Sequence, residues 1–306
     1  VSAARSSTAT GTTATADTGA PARRGRFAPT PSGLLHKGSL LAAVASWLDA
    51  HAEGYCWLVR MEDLDTPRMV PGMAGAILAT LDRFGLHPDG PVLYQSTRTA
   101  AYREALQSLI ESGRAYACRC SRGERTGAGS CRCRQLALDG SDCAWRLSIE
   151  SPTLGFEDAI QGSCSYPTAV LGDPILFRRD GIVAYQLAVV VDDAFQGITD
   201  VVRGADLLES TAWQAAIGAA LGLPRPRYAH VPVLTEPGGA KLAKSRRSLP
   251  LEGLDPQATL AEILQLLGIS LPEELKAAPV SDMLHWSVPH WSPVRMTGIR
   301  AMALPN

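Results

Sequence analysis

No apolar run in this chain approaches the roughly 18 residues that a membrane-spanning helix needs, so no span is expected. The first 22 residues, VSAARSSTATGTTATADTGAPA, lack the apolar centre of an export signal and read as a disordered tail. A net charge of −1 removes the overall field of a general nucleic-acid binder and leaves that work to local patches. Two such patches exist: Arg119, Arg122, Arg125, Arg132 and Arg134, then Arg225, Arg227, Lys241, Lys244, Arg246 and Arg247. Two phosphate-binding signatures are also missing. There is no G-x-G-x-x-G, and Lys37-Gly38-Ser39 scrambles the Walker order without its earlier glycine. No internal repeat is visible.

What is present is 306 residues, 46% of them apolar, enough for a main domain of about 200 residues with a smaller unit attached. RRGRFA reads as a short strand, broken by Pro29 and Pro31. SLLAAVASWLDAHAEG is then a helix with Leu40, Leu41, Val44, Trp47 and Leu48 on one face, capped by Ser39 and stopped by Gly54. YCWLVR is a strand, and glycine-terminated helices are expected over about 72–84 and 99–112. This alternation argues for an α/β fold with a parallel sheet and crossover helices. ILFRRDGIVAYQLAVVVDD holds an Asp-Gly turn between apolar runs, a hairpin signal. DVVRGADLLES reads strand to helix, STAWQAAIGAALG helix, RYAHVPVL strand, and GGAKLAKSRRS a flexible basic loop. LAEILQLLG is the one clear helix in the last fifty or so residues.

Four of the seven cysteines, Cys118, Cys120, Cys131 and Cys133, fall within sixteen residues as two Cys-x-Cys pairs. In a chain with no export signal, and hence expected in the cytoplasm, such pairing points to metal rather than disulfides. Four thiolates at about 2.3 Å satisfy a structural, tetrahedral zinc, and Cys143 is a weaker stand-in.

GRFAPTPSGLLHKGS places a proline- and glycine-rich loop between a strand and a helix N-terminus, an arrangement suited to anions. His36 there can donate to phosphate oxygens, and Gly38 lets a nucleotide approach the backbone. KLAKS supplies Lys241 and Lys244 on a loop, suited to a triphosphate whose charge moves during reaction. The two segments together resemble the signatures of class I aminoacyl-tRNA synthetases. With LVRMEDLD, AYQLAVVVDD and DVVRGADL in the same order, the resemblance is to glutamyl-tRNA synthetases, over about 25–251.

That resemblance implies a Rossmann-like catalytic domain that activates L-glutamate with ATP, expected as its Mg2+ complex. Arg26 and Arg203 would line the glutamate pocket, Glu62 would hold the substrate ammonium, Tyr185 would donate its hydroxyl, and Phe27, Ala28, Pro29 and Thr30 would shape the walls. His36 and Lys244 would stabilise the phosphates, with Gly38 and Lys241 also at ATP. Catalysis would be positioning and charge stabilisation, with no covalent intermediate. Lys37 stands where the family signature usually has a nonpolar residue, free to add phosphate affinity or to point into solvent, and Ala243 replaces a usual serine.

Five segments are expected: a tail over 1–22, the catalytic halves over 23–115 and 176–250, a zinc-binding insertion over 116–175, and a short helical region over 251–306. Only about 55 residues follow Leu251, thin for an anticodon-binding domain. The chain is therefore similar to the shortened relatives, the glutamyl-queuosine tRNA(Asp) synthetases, which pass glutamate to the queuosine base of the tRNA(Asp) anticodon. A monomer suffices for this. A truncated synthetase charging a tRNA 3′ end, an inactive zinc-dependent RNA-binding protein and a His-x-Gly-His nucleotidyltransferase are the alternatives.

Overall fold

The computed structural model describes residues 22–120, 131–136, 138–235 and 250–304. In chain order, β1 (Arg24–Phe27) leads through the Pro/Gly loop to α1 (Lys37–Ala52), β2 (Cys56–Met61), α2 (Met73–Arg83), β3 (Leu93–Tyr94) and α3 (Thr99–Glu111). Next come β4 (Ala115–Cys118), β5 (Ala144–Leu147), the pair β6 (Thr153–Asp158) and β7 (Gly162–Pro167), the single turn α4 (Thr168–Leu171) and β8 (Ile175–Phe177). The chain continues with α5 (Tyr185–Phe195), β9 (Asp200–Gly204), α6 (Leu208–Ala220), β10 (Arg227–Val231) and β11 (Val233–Thr235). It closes with α7 (Pro256–Leu266), α8 (Val280–Ser287) and β12 (Ala301–Ala303).

Seven strands form a mainly parallel sheet in the order β3-β2-β1-β9-β10-β6-β7, with β6–β7 as an antiparallel hairpin on one edge. From the centre, β1, β2 and β3 follow one another to one side and β9 and β10 to the other, with the earlier β6–β7 hairpin added beyond β10, so the sheet reverses between β1 and β9. Ligands in open α/β sheets bind outside the carboxyl ends of strands at that point. A separate three-stranded sheet, β4-β5-β8, packs with α3, α5 and α6 around Tyr102, Leu147, Leu176 and Leu187.

Several elements depart from the sequence reading. The hairpin expected around Asp180-Gly181 shrinks to a single bridge between Phe177 and Val183, and the apolar run after it becomes α5. RYAHVPVL is two strands, because Pro232 cannot donate to a ladder. α1 is covered almost all round rather than on one face: Ala43, Ala45 and Ser46 are buried with Leu40, Leu41, Val44 and Leu48. The reason is that α7 and α8 share its core through Leu260, Ile263, Leu264 and Met283. Each fully buried leucine contributes roughly 1.5–3 kcal/mol, so the C-terminal helices and the catalytic sheet stabilise one another. β12 completes the join by pairing parallel to β11.

Candidate active site

The site forms at the sheet's reversal. A cavity of about 520 Å³ is lined by Arg26, Phe27, Ala28, Pro29 and Thr30 after β1, by His36 and Gly38 at the start of α1, and by Glu62, Tyr185 and Arg203. The described residues of the expected glutamate and ATP set are therefore brought together. Lys241 and Lys244 lie outside the described residues.

His36, not Ser39, caps α1: its Nδ1 accepts the Ser39 amide at 3.2 Å. Burial lowers its pKa, against the pull of Asp206, so the ring is neutral near neutrality. Gly38 has a reason beyond nucleotide approach, since a Cβ there would lie 3.1 Å from the His36 ring. Lys37 neither points into solvent nor faces the cavity. It reaches α7 and donates to Glu262 at 2.5 Å.

Glu62 follows the end of β2, and its backbone amide donates to the Pro29 carbonyl at 2.9 Å. Only 7% exposed, its carboxyl is pushed up to about 7 by burial, against the pull of Arg60, Arg26 and Arg203. Beneath it lies a polar layer that the sequence reading missed. Arg60 donates to Asp193 at 2.8 Å and Gln196 at 2.9 Å, and stands 3.8 Å from Glu62. Arg26 donates to the same Asp193, at 3.2 and 3.5 Å. Burial pushes the Asp193 carboxyl up, but the two guanidiniums outweigh it and hold it below its ordinary value.

Arg203, at the end of β9, is different. It is 5% exposed, and among the described residues each acceptor it hydrogen-bonds is neutral: Tyr185 at 3.3 Å, Thr211 at 2.7 Å, Gln214 at 2.6 Å and the ring of His230 at 3.3 Å. A guanidinium buried with no carboxylate in hydrogen-bond contact is costly, and this one borders the cavity, where its charge acts on Glu62. Burial also keeps the Tyr185 hydroxyl protonated, raising its pKa against the pull of Arg203.

The remaining acidic candidates serve structure. Asp63 accepts from Ser96, and Asp65 pairs with Arg68 and Arg178. Of the basic patches, Arg134 is committed to the Ile149 carbonyl and Arg227 to Asp200 and Asp49.

The four paired cysteines do converge. Cys118 ends β4, Cys120 follows it, Cys131 and Cys133 occupy the next described turn, and their four Sγ atoms lie within 4.8 Å of one another. Contacts of 3.5 Å (Cys118–Cys131), 3.1 Å (Cys120–Cys131) and 3.5 Å (Cys120–Cys133) approach the spacing of about 3.8 Å that sulfurs at about 2.3 Å from a tetrahedral ion would have. The donor set fits a soft divalent metal. Cys143 is outside it, turned toward the Ser141 carbonyl.

A parallel sheet reversing over an anion-ready helix N-terminus, with a carboxylate and a buried arginine in one cavity, fits a nucleotide-using synthetase domain. The family model described as tRNA synthetases class I (E and Q), catalytic domain, matches residues 23–128 and 130–281. A Pseudomonas aeruginosa protein named glutamyl-Q tRNA(Asp) synthetase is 50% identical over 286 residues, 92% of this chain and 97% of that one. Its namesake from Ectopseudomonas mendocina is 47% identical over 283 residues, 91% and 96% of the two chains. The solved glutamate-tRNA synthetase of Elizabethkingia anophelis superposes with a TM-score of 0.77 at 23% identity, over 93% of this chain and 68% of that one, a likeness of fold. The chain belongs to the class I synthetase family and, within it, to the glutamyl-Q tRNA(Asp) synthetases. It is an enzyme, a ligase. Among the described residues no helix is long and apolar enough to cross a membrane.

Proposed function

We propose that the chain activates L-glutamate with ATP to glutamyl-adenylate and transfers the glutamyl group to the queuosine base in the anticodon of tRNA(Asp). The observation that carries the first half is Arg203, a buried cation at the cavity whose hydrogen-bond partners among the described residues are all neutral. A substrate side-chain carboxylate supplies its missing counter-charge in fork geometry, and the isosteric amide cannot. Glu62 takes the substrate ammonium. Arg26, already shared with Asp193, is left for the α-carboxylate. With the substrate so held, its carboxylate attacks the α-phosphorus of ATP and pyrophosphate leaves. His36 and the α1 N-terminus, with Lys241 and Lys244, take up the phosphate charge.

The choice of queuosine as acceptor is supported by the names and near-complete coverage of the relatives at 47–50% identity. The four-cysteine site is proposed to hold zinc, which would stiffen the segment beside β4 where the chain meets RNA.

The test is transfer of radiolabelled glutamate, with ATP, to purified tRNA(Asp) with and without queuosine, alongside tRNA(Glu). Label confined to the queuosine-bearing tRNA is expected. Label on the 3′ end of tRNA(Glu) would make the chain a charging enzyme, and no label on any tRNA would refute the transfer altogether.

A further inference from the structure

Behind Arg203 lies a polar chain that does not line the cavity. His230, on β10, is completely buried, and its Nδ1 lies 2.6 Å from the Asp158 carboxylate. Its Nε2 is 3.3 Å from Arg203 Nε and 2.9 Å from the Thr211 hydroxyl, which itself accepts from Arg203 at 2.7 Å. A guanidinium has only donors, and an ionised carboxylate has only acceptors. The imidazole proton therefore belongs on Nδ1, leaving a lone pair on Nε2. The other tautomer would set N–H against N–H at Arg203 and a lone pair against the carboxylate.

Asp158 cannot swing away to relieve such a conflict. Its second oxygen accepts three backbone amides: Ile160 at 3.0 Å, Gln161 at 2.8 Å and His230 at 3.1 Å. The residue ends β6, and the pairing of Tyr228 with Asp158 joins the β6–β7 hairpin to β10. One carboxylate thus ties the hairpin to the sheet and orders the ring behind the cavity. The electrostatics agree. Burial, with the charges of Arg203 and Arg26, lowers the His230 pKa against the pull of Asp158, so the ring is neutral. Burial pushes Asp158 up, but its hydrogen bonds from His230 and the backbone hold it down, so it is ionised.

We propose that Asp158 and His230 are positioning residues for substrate recognition: Asp158 keeps the imidazole proton on Nδ1, and the Nε2 lone pair fixes the guanidinium plane of Arg203 toward the substrate's side-chain carboxylate. This rests on the role given to Arg203 above. It places part of the discrimination between glutamate and glutamine in a carboxylate on the edge hairpin, separated from the ligand by the His230 ring and the Arg203 guanidinium.

The test compares full-length wild type with Asp158→Asn, His230→Gln and His230→Leu in glutamate-dependent ATP–pyrophosphate exchange. In Asp158→Asn the three backbone amides force the carboxamide oxygen into the inner position, so the new NH2 faces His230 and drives the ring proton to Nε2. The KM for glutamate should rise about 10- to 100-fold and the preference over glutamine should fall by a similar factor. The kcat at saturation and the KM for ATP should hold, as for a loss of uniform binding. NMR of nitrogen-labelled histidine, assigned through His230→Gln, should show the proton moving from Nδ1 to Nε2. In His230→Gln a carboxamide oxygen can take the place of Nε2, so its glutamate KM should lie well below that of His230→Leu.

If wild type activates glutamate but Asp158→Asn keeps the wild-type KM and tautomer, the inference is overturned. Should Asp158→Asn fail to fold, equal KM values for His230→Gln and His230→Leu overturn it instead. Wild type that activates no glutamate overturns the role of Arg203 itself, a distinct outcome.

Discussion

Glutamate affinity should fall as pH drops through about 7, and Glu62 sets the size of the effect. Burial pushes its carboxyl up to about 7, so the free protein holds a proton there under mildly acidic conditions. On the role proposed for Glu62 the substrate ammonium requires the carboxylate, so each binding event below that pH must expel one proton. The substrate's own carboxyl groups ionise well below this range. Burial lowers the pKa values of His36 and His230, which favours the neutral form of both rings. The apparent dissociation constant then scales as 1 + 10^(pKa − pH): about 1.1 at pH 8, about 2 at pH 7 and about 11 at pH 6. Isothermal titration in two buffers of different ionisation enthalpy counts the protons directly, approaching one released at pH 6 and none at pH 8. Glu62→Gln should bind weakly with a flat profile. The same raised pKa makes the free protein lose stability as pH rises from about 4.5 to about 7, because the unfolded chain surrenders the proton that the fold retains. A flat wild-type profile, or an unchanged slope in Glu62→Gln, would refute the reasoning.

Two further perturbations probe features outside the glutamate pocket. Lys37 and Glu262, each 26% exposed, join the signature loop to α7. Lys37→Glu should cost about 1 kcal/mol, read as a lowered melting temperature, and adding Glu262→Lys should restore most of it. A double variant no more stable than the single one would show that the pair contributes nothing. Cys118→Ser should reduce bound metal from one ion per chain to nearly none and speed amide exchange in β4, β5 and β8, leaving the main sheet protected. Unchanged metal content by elemental analysis would remove Cys118 from the site.

The strand–helix rhythm and the paired cysteines were legible because each is local. A period of 3.6 ending at glycine, or two Cys-x-Cys pairs within sixteen residues, declares itself inside one window. Errors arose where a distant partner changed the meaning of a local pattern. AYQLAVVVDD looks like half of a hairpin, yet Asp192 must face Gln95, Arg98 and Tyr102 while Asp193 faces Arg26 and Arg60. Adjacent residues on a strand point to opposite faces, whereas a helix turns successive residues by only about 100° and can present both acids to neighbouring cations. Lys37 looked free because Glu262 lies 225 positions away.

The site's buried charges did leave a trace in the sequence. Arg60 sits in CWLVRM, Asp193 in AVVVDD and His230 in RYAHV, each a polar group inside an apolar run. None can remain buried alone without a cost of several kcal/mol, so each of these runs demanded a partner from elsewhere in the fold. The demand was visible, but the pairing was not: Arg60 and Asp193 are 133 positions apart, and Asp158 and His230 are 72. The sheet order resolves it by setting β1, β2, β9, β10 and β6 edge to edge, so that polar residues from five separate strands reach one layer. Within that layer, among the described residues, Arg26 and Arg60 hydrogen-bond a carboxylate and Arg203 does not. That difference is why Arg203 is proposed to meet the substrate's side-chain carboxylate, and it can be read only from the folded arrangement of the layer, not from any one strand.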